Sequence, residues 1–340
     1  MKKCGQFTIV SAVHYCTSGC FADAQHDKER IAEFTYPCSV ILIDNRNTTN
    51  PYLNLAIEEF LIRNIECGDE DYLFLYINEP CIVLGKNQSI YKEVNFEYLR
   101  NNKLKLARRI TGGGTVYHDE GNLNFSIISK FEESKINNYK YFNKPVIDAL
   151  GRAGVEAGMD ERNNIICKGK KISGSAQFTN RKNMISHGTL LLNADLDTLR
   201  ASLKANEFKI ETKAVSSVNS SVMNMNEVTN QFKITSDLKV FLAKELSAVN
   251  THQFSADDWT IIEKLCEEKF RTFAWIYGRS PLTTIEKQDM KIEVEDGLVL
   301  SISGHAIELA KLKGVRYEYA EIKKALQVYP DSEELLKLIF

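Results

Sequence analysis

The residues able to do chemistry gather in three short stretches, the densest being Ala107-Arg108-Arg109-Ile110-Thr111-Gly112-Gly113-Gly114-Thr115-Val116-Tyr117-His118-Asp119. Three successive glycines strip every Cβ from one wall, so a phosphate or an acyl carbonyl can lie against backbone N–H groups. Arg109 can then fork onto a phosphate. A plain glycine turn beside solvated arginines has the same composition, and the stretch alone does not separate the two. It is not a Walker loop, which needs G-x4-G-K-[ST]. Neither Gly85-Lys86 nor Gly169-Lys170 has the upstream glycine or the following Ser/Thr, and G-x-G-x-x-G is missing as well.

The second stretch is Gly169-Lys170-Lys171-Ile172-Ser173-Gly174-Ser175-Ala176-Gln177. Strand alternation turns Lys171 and Ser173 to one face and Lys170 to the other. A lysine in a partly desolvated cleft neutralises both a carboxylate nucleophile and the phosphates it attacks, stabilising the charge that builds in the transition state. A surface hairpin with solvated lysines is the competing reading. In the third stretch, His187-Gly188-Thr189-Leu190-Leu191-Leu192, a single histidine leads a buried strand. Histidine in such a place is more often structural than catalytic.

Ordinary elements must position these stretches. Residues 38–44 form a β-rich apolar run, and from Pro51 onward Leu53, Ala56, Ile57, Phe60, Leu61 and Ile65 recur at helical spacing. Residues 72–77 and 81–84, separated by Asn78-Glu79-Pro80, read as a β-hairpin. A helix near 96–102 precedes a strand over 104–110, which stops at the glycines; another strand runs over 122–129. Phe142, Val146, Ile147 and Leu150 predict a helix over 141–158, and 165–172 predicts two strands joined around Gly169. One more strand is expected over 187–193. From Lys204 to Lys233 the composition shifts to Ser, Asn and Lys, marking a loop-rich connection between domains. Helical spacing over 256–270, strands over 291–295 and 298–303, and closing helices then compose a small α/β unit. The expected division is an extension over 1–37, poorly ordered, a catalytic domain over 38–250 and an accessory domain over 251–340.

With 340 residues, 44% of them apolar and 26% charged, the chain can bury one large core and a smaller one. A formal charge of −2 supplies no field to draw in nucleic acid, and the aromatics do not cluster with Lys/Arg. No apolar run approaches the roughly 18 residues that a membrane-spanning helix requires, so no membrane partner is expected. Cys67, Cys81, Cys167 and Cys266 are scattered singly through the body, which reads as reduced and cytoplasmic. In the tail, His14, Cys16, Cys20 and His26 make a loose metal pattern with no second C-x-x-C-like pair, and no metal site is expected there. Lys2-Lys3, residues 7–13 and Ala22-Asp23-Ala24 outline a faint secretory signal, but a non-structural extension is the simpler expectation.

In order, R-R-x-T-G-G-G-T-V-Y-H-D-x-G-N, K-x-S-G-S-A-Q and H-G-T-L-L-L resemble the lipoate-protein ligase family, and the resemblance runs from about residue 39 to the C-terminus. It implies an α/β fold in which a mixed sheet is flanked by helices, related to biotin ligases, with a small C-terminal domain. It implies two steps: ATP and lipoate give lipoyl-AMP, and the acyl group then passes to a lysine of a lipoyl acceptor domain. Such acceptors belong to 2-oxoacid dehydrogenase complexes or are the glycine cleavage H protein. Carried over by motif, Lys171 is the essential lysine on the adenylate, and Arg109 contacts nucleotide or acyl group. Thr111, Gly113, Gly114, Thr115, Val116 and Tyr117 fall in the nucleotide-binding stretch. Asn122, Asn164, Ser173 and His187 stand where the family places further polar residues. Mg2+ is expected on the phosphates. A long acyl chain needs a tunnel, which Leu84, Val116 and Phe125 could help line.

One departure stands out. Where the family has S-V-R-S-R-V, this chain has Ser217-Val218-Asn219-Ser220-Ser221-Val222, losing both arginines, which implies weaker activation or another acyl group. Three rivals remain at this point. A transferase on the same fold would hold its acyl group on a cysteine, but Cys167 sits too close to Lys171 and Cys266 lies far along the chain. A biotin ligase would show G-R-G-R-x-G, which is missing. A binder without turnover would leave both ATP and acyl donor unchanged. The W-x-x-G-x-S-P run at Trp275, Gly278, Ser280 and Pro281 resembles the ligases.

Overall fold

The computed structural model describes residues 40–203, 208–287, 290–304 and 309–340, so the extension, with its cysteine–histidine pattern and signal-like run, lies outside the described residues. Strand β1 (Val40–Ile43) leads to α1 (Pro51–Asn64), whose first turn is set by Asn50 accepting from the N–H groups of Tyr52 and Leu53, with Pro51 where no donor is needed. Next come β2 (Asp71–Tyr76), β3 (Cys81–Leu84), α2 (Ile90–Glu93), α3 (Phe96–Asn101), β4 (Lys105–Arg108), β5 (Val116–His118) and β6 (Asn122–Lys130). Helix α4 (Tyr139–Arg152) precedes β7 (Ala157–Met159), β8 (Ile165–Cys167), β9 (Lys170–Ser173), β10 (Ser175–Thr179) and β11 (Asn183–Leu191). The chain continues through α5 (Leu196–Ser202), β12 (Lys209–Thr212), α6 (Thr235–Glu245), β13 (Ala248–His252), α7 (Ala256–Leu265) and α8 (Phe273–Ile276). It closes with β14 (Thr283–Lys287), β15 (Met290–Glu295), β16 (Leu298–Ser303), α9 (Tyr319–Leu326) and α10 (Ser332–Ile339).

A six-stranded sheet in the order β10-β11-β6-β2-β1-β13 forms the centre. It is mixed: β1 runs parallel to β2 and β13, and the remaining pairs are antiparallel. Alternation along β2 sends Leu73 and Leu75 into a core with α4 and α6, while Phe74 and Tyr76 join α1 and α7 on the other face. Two helical layers thus cover one sheet.

The expected hairpin of β2 and β3 does not form. β2 pairs with β1 and β6, whereas β3 lies between β4 and β5 in a separate sheet. The turn is held by polar bonds instead. Fully buried Asn78 accepts from Asn54 Nδ2 (2.8 Å) and donates to His118 Nδ1 (3.0 Å), which swings the chain from one sheet to the next.

The expected boundary near 250 crosses a shared core. Phe254, Trp259, Ile262, Cys266 and Phe270 pack with Leu55, Phe60 and Leu61 of α1, so α7 belongs with the central sheet. The small sheet, ordered β12-β14-β15-β16, takes its edge strand β12 from the stretch expected to be a loop-rich connection. Its core also continues into Ile82, Leu84 and Leu106 of β3 and β4.

Candidate active site

The paired arginines at the end of β4 have opposite tasks. Arg108 is fully buried, and its guanidinium donates to the carbonyls of Ile276 (2.8 Å), Gly85 (2.9 Å) and Gln88 (2.8 Å) and to Ser280 Oγ (3.2 Å). Trp275 Nε1 returns a bond to the Arg108 carbonyl (2.7 Å). Arg108 therefore fastens the run around Trp275 and Ser280 to the base of the glycine turn. Arg109 lines the cleft, yet it does not fork outward as expected. It donates to the carbonyls of Gly112 (2.6 Å), Gly114 (2.7 Å) and Val83 (3.2 Å) and to Thr111 Oγ1 (2.9 Å). Those carbonyls turn inward to meet it. Burial pulls its pKa down to about 10, which leaves it a cation at neutral pH.

Tight backbone geometry explains two of the glycines, Gly113 and Gly85. Gly113 has φ +88, and a Cβ there would stand 2.9 Å from Arg109 Nη2. A Cβ on Gly85 would stand 2.1 Å from the Gly113 carbonyl, so β3's end and the turn approach backbone to backbone.

Lys171 follows a two-residue turn in which Lys168 (φ 48) and Gly169 (φ 73) both take left-handed conformations, the geometry that matches strand twist. Lys170 is exposed and Lys171 half-buried in the cleft, as alternation predicts. A Cβ on Gly174 would come 2.8 Å from Lys171 Nζ, so that glycine makes room for the ammonium. Burial, reinforced by the charge of Arg109 and opposed by Asp160, pulls the Lys171 pKa below its usual value. Asn164 orients Asp160, donating to its carboxylate from backbone and side chain (both 2.8 Å).

His187 lies in a buried polar relay. Its Nδ1 meets Glu58 (2.9 Å) and its Nε2 meets Thr111 Oγ1 (2.9 Å), which in turn accepts from Arg109. Because Glu58 only accepts, Nδ1 carries the proton. Ser126 (2.5 Å) and Tyr76 (3.1 Å) also donate to Glu58. Burial pushes this carboxyl up, but His187 and the three hydrogen bonds outweigh it and hold it below the usual range. Beside it, His118 has Nε2 buried without a partner among the described residues. Burial, with Arg109 and His187 near, pulls that ring down to about 3, so it stays neutral.

These groups share a cleft of ≈ 330 Å³ lined by Arg109, Gly113, Gly114, Thr115, Val116, Asn164, Lys171 and His187. Four other expected residues stand behind its wall. Thr111 links Arg109 to His187, Tyr117 bonds to Asp119, Asn122 donates to Asn124 Oδ1 (3.2 Å), and buried Ser173 meets the Gly174 carbonyl (3.4 Å). Of the expected acyl-lining residues, Val116 lines the cleft, while Leu84 and Phe125 pack in hydrophobic cores. Leu55, Tyr76 and Val83 make the apolar wall in their place. Sequence reasoning also missed Glu58, Arg162, His118 and Asn124. Glu58 sits inside an amphipathic helix, where one acid carries no signal. Larger clefts of ≈ 720 and ≈ 650 Å³ lie elsewhere; the first reaches Asp119 and Leu192, the far ends of two stretches, and neither is lined by Arg109, the three glycines, Lys171 or His187.

The missing-arginine stretch forms a strap over this cleft, with Val215, Ser216, Ser217, Val218 and Ser220 lining it. Its far end pins Lys171: the Lys171 N–H donates to the Ser221 carbonyl (2.8 Å), and the Met223 N–H to the Lys171 carbonyl (3.1 Å). The described cysteines are unpaired and buried, with burial pushing every thiol upward, Cys67 to about 12. Cys167, the last residue of β8, packs in the core, away from the cleft lining.

The family model of the lipoyl protein ligase A/B catalytic domain matches residues 50–247. Lipoate–protein ligase 1 of Staphylococcus aureus is 36% identical over 325 residues, covering 87% of this chain and 99% of that protein. A Thermoplasma acidophilum protein described as a candidate lipoate protein ligase, with lipoic acid bound, superposes with TM-score 0.62 at 26% identity, over 71% of this chain and 99% of its own. A lipoate-protein ligase A bound with ATP gives TM-score 0.60 at 25% identity, with the same coverage. Motifs, fold and these relatives agree: the chain belongs to the lipoate-protein ligase family.

Proposed function

We propose that this protein is an ATP-dependent lipoate-protein ligase that makes lipoyl-AMP in the cleft between the glycine turn and Lys171. The observation that carries the site is the junction of a half-buried, depressed-pKa lysine with a Cβ-free turn in one cleft. A carboxylate is a poor electrophile at neutral pH. Its oxygen attacks the α-phosphorus of ATP, the bond to the β-phosphate oxygen breaks, and pyrophosphate leaves. Lys171 neutralises the carboxylate and α-phosphate oxygens as they approach, and the Cβ-free turn lets phosphate lie against backbone. The ε-amine of an acceptor lysine then attacks the acyl carbon and expels AMP.

Among the described residues no group of three or more His, Cys, Asp or Glu could hold an ion, so the Mg2+ in this proposal arrives on the phosphates. Leu55, Tyr76 and Val83 would take the acyl chain. The acceptors proposed are lipoyl domains of 2-oxoacid dehydrogenase complexes or the glycine cleavage H protein, and the unpaired cysteines support a cytoplasmic setting. A cysteine-based transferase is disfavoured because Cys167 is buried with a raised pKa.

Lys171→Ala is expected to cut lipoyl-AMP formation by about 10²–10³-fold or more with the fold intact, as for loss of a transition-state cation. Adenylate formed at the wild-type rate would remove Lys171 from this role.

A further inference from the structure

Two side chains outside all three chemical stretches hold the near end of the strap. Gln88 stands just before α2 and Glu93 at its end. Both are buried, as is Thr115 of the glycine turn. Gln88 Oε1 accepts from the Gly85 N–H (2.9 Å) and the Thr115 hydroxyl (2.8 Å), while its Nε2 donates to Ser217 Oγ (3.0 Å). Glu93 accepts from the Ser217 N–H (3.1 Å) and from the Ser217 hydroxyl. The Thr115 N–H donates to Ser217 Oγ (2.9 Å) and closes the ring.

This arrangement is costly unless complete. A buried carboxylate needs its lone pairs satisfied, and Glu93 is met by Ser217 instead of a cation among the described residues. Lifting Ser217 away would strip donors from Glu93 and an acceptor from both Gln88 and the Thr115 amide. The strap therefore has two fixed points, Ser217 on the glycine turn and Ser221 on the Lys171 backbone. Between them Val218, Asn219 and Ser220 are exposed.

We propose that Gln88 and Glu93 are positioning residues for the activation half-reaction, acting through Ser217 to hold the strap across the cleft so that the adenylate stays bound until the acceptor lysine arrives. The inference rests on the adenylating reading above. Among the described residues this ring fastens the strap's near end.

The test uses the full-length protein with ATP, lipoate and an apo acceptor domain, comparing wild type, Glu93→Ala, Ser217→Ala and the double variant. Three quantities are read: KM for ATP, kcat of AMP formation, and lipoylated acceptor per AMP released. Each single variant should raise KM for ATP about tenfold, the loss expected for a hydrogen bond to a charged group, with kcat changed far less. Each should also release free lipoyl-AMP and lower the coupling ratio. The double variant should be no worse than either single one, because both break one ring. Ser217→Ala alters only a half-buried hydroxyl, so it reports even where Glu93→Ala fails to fold. Wild-type coupling and KM in Ser217→Ala, or additive losses in the double variant, would overturn the proposal. A wild-type protein that forms no lipoyl-AMP would instead overturn the adenylating reading itself, and the latch with it.

Discussion

The two walls of the cleft are built in contrasting ways. The glycine turn, open to solvent at Gly113, is braced by buried polar groups, with Arg108 below it, Arg109 inside it and the Glu58–His187–Thr111 relay behind it. The strap opposite has mostly exposed side chains between two anchors. Both walls line one cavity, but only the first is fastened to the hydrophobic core. Substitutions in the turn should thus lower stability and activity together, whereas those at the strap's exposed side chains, residues 218–221, should alter activity alone.

The sharpest way to break this contrast is Arg108→Met. It leaves the carbonyls of Gln88 and Ile276 without this donor and that of Gly85 with the Gln88 N–H alone, and the expected loss is about 3 kcal/mol in urea denaturation, with activity falling in parallel. A change below about 0.5 kcal/mol would mean that the turn is not braced from beneath. Gly113→Ala should be milder, costing about 1–2 kcal/mol, since alanine must adopt φ +88 and crowd Arg109. Its KM for ATP should rise as well.

His118 provides a pH test of the same wall. Its folded pKa of about 3 lies below the usual value of 6.5, so the unfolded chain binds a proton that the folded one refuses between those limits. The stability His118 contributes is fully present above about pH 6.5 and declines as pH falls toward 3, at a slope of at most about 1.4 kcal/mol per pH unit. His118→Asn should flatten that part of the stability–pH curve; an unchanged curve would show that the ring is not held neutral.

The smallest effect is expected in the strap. Asn219→Arg with Ser221→Arg places two cations over the proposed phosphate site and should lower KM for ATP about three- to tenfold, an effect that salt weakens. Stability should move by less than about 0.5 kcal/mol. A large stability change would erase the distinction between the walls.

What could be read in the sequence was what is local. Alternation distinguished Lys171 from Lys170, the glycine run marked the turn, and the helical spacing after Pro51 located α1. Facing directions follow from backbone geometry, but partners do not. Glu58 meets His187 only because α1 packs across β11, and β12 is a strand only because β14 supplies its hydrogen bonds. Arg109 misled for a similar reason: its charge predicted an outward fork, while the tight turn supplies inward carbonyls that satisfy it first. The hairpin of β2 and β3 failed because buried Asn78 redirects the chain between sheets. Leu84 and Phe125 are apolar and lie on strands beside the cleft, but they pack in cores.

The most direct test of the central claim is a mass measurement on an apo acceptor domain incubated with this protein and either ATP with lipoate or an octanoyl-carrier thioester. The account predicts one lipoyl adduct on the acceptor lysine with ATP and lipoate, none when ATP is withheld, and none from the thioester. An acyl adduct formed from the carrier without ATP would contradict it.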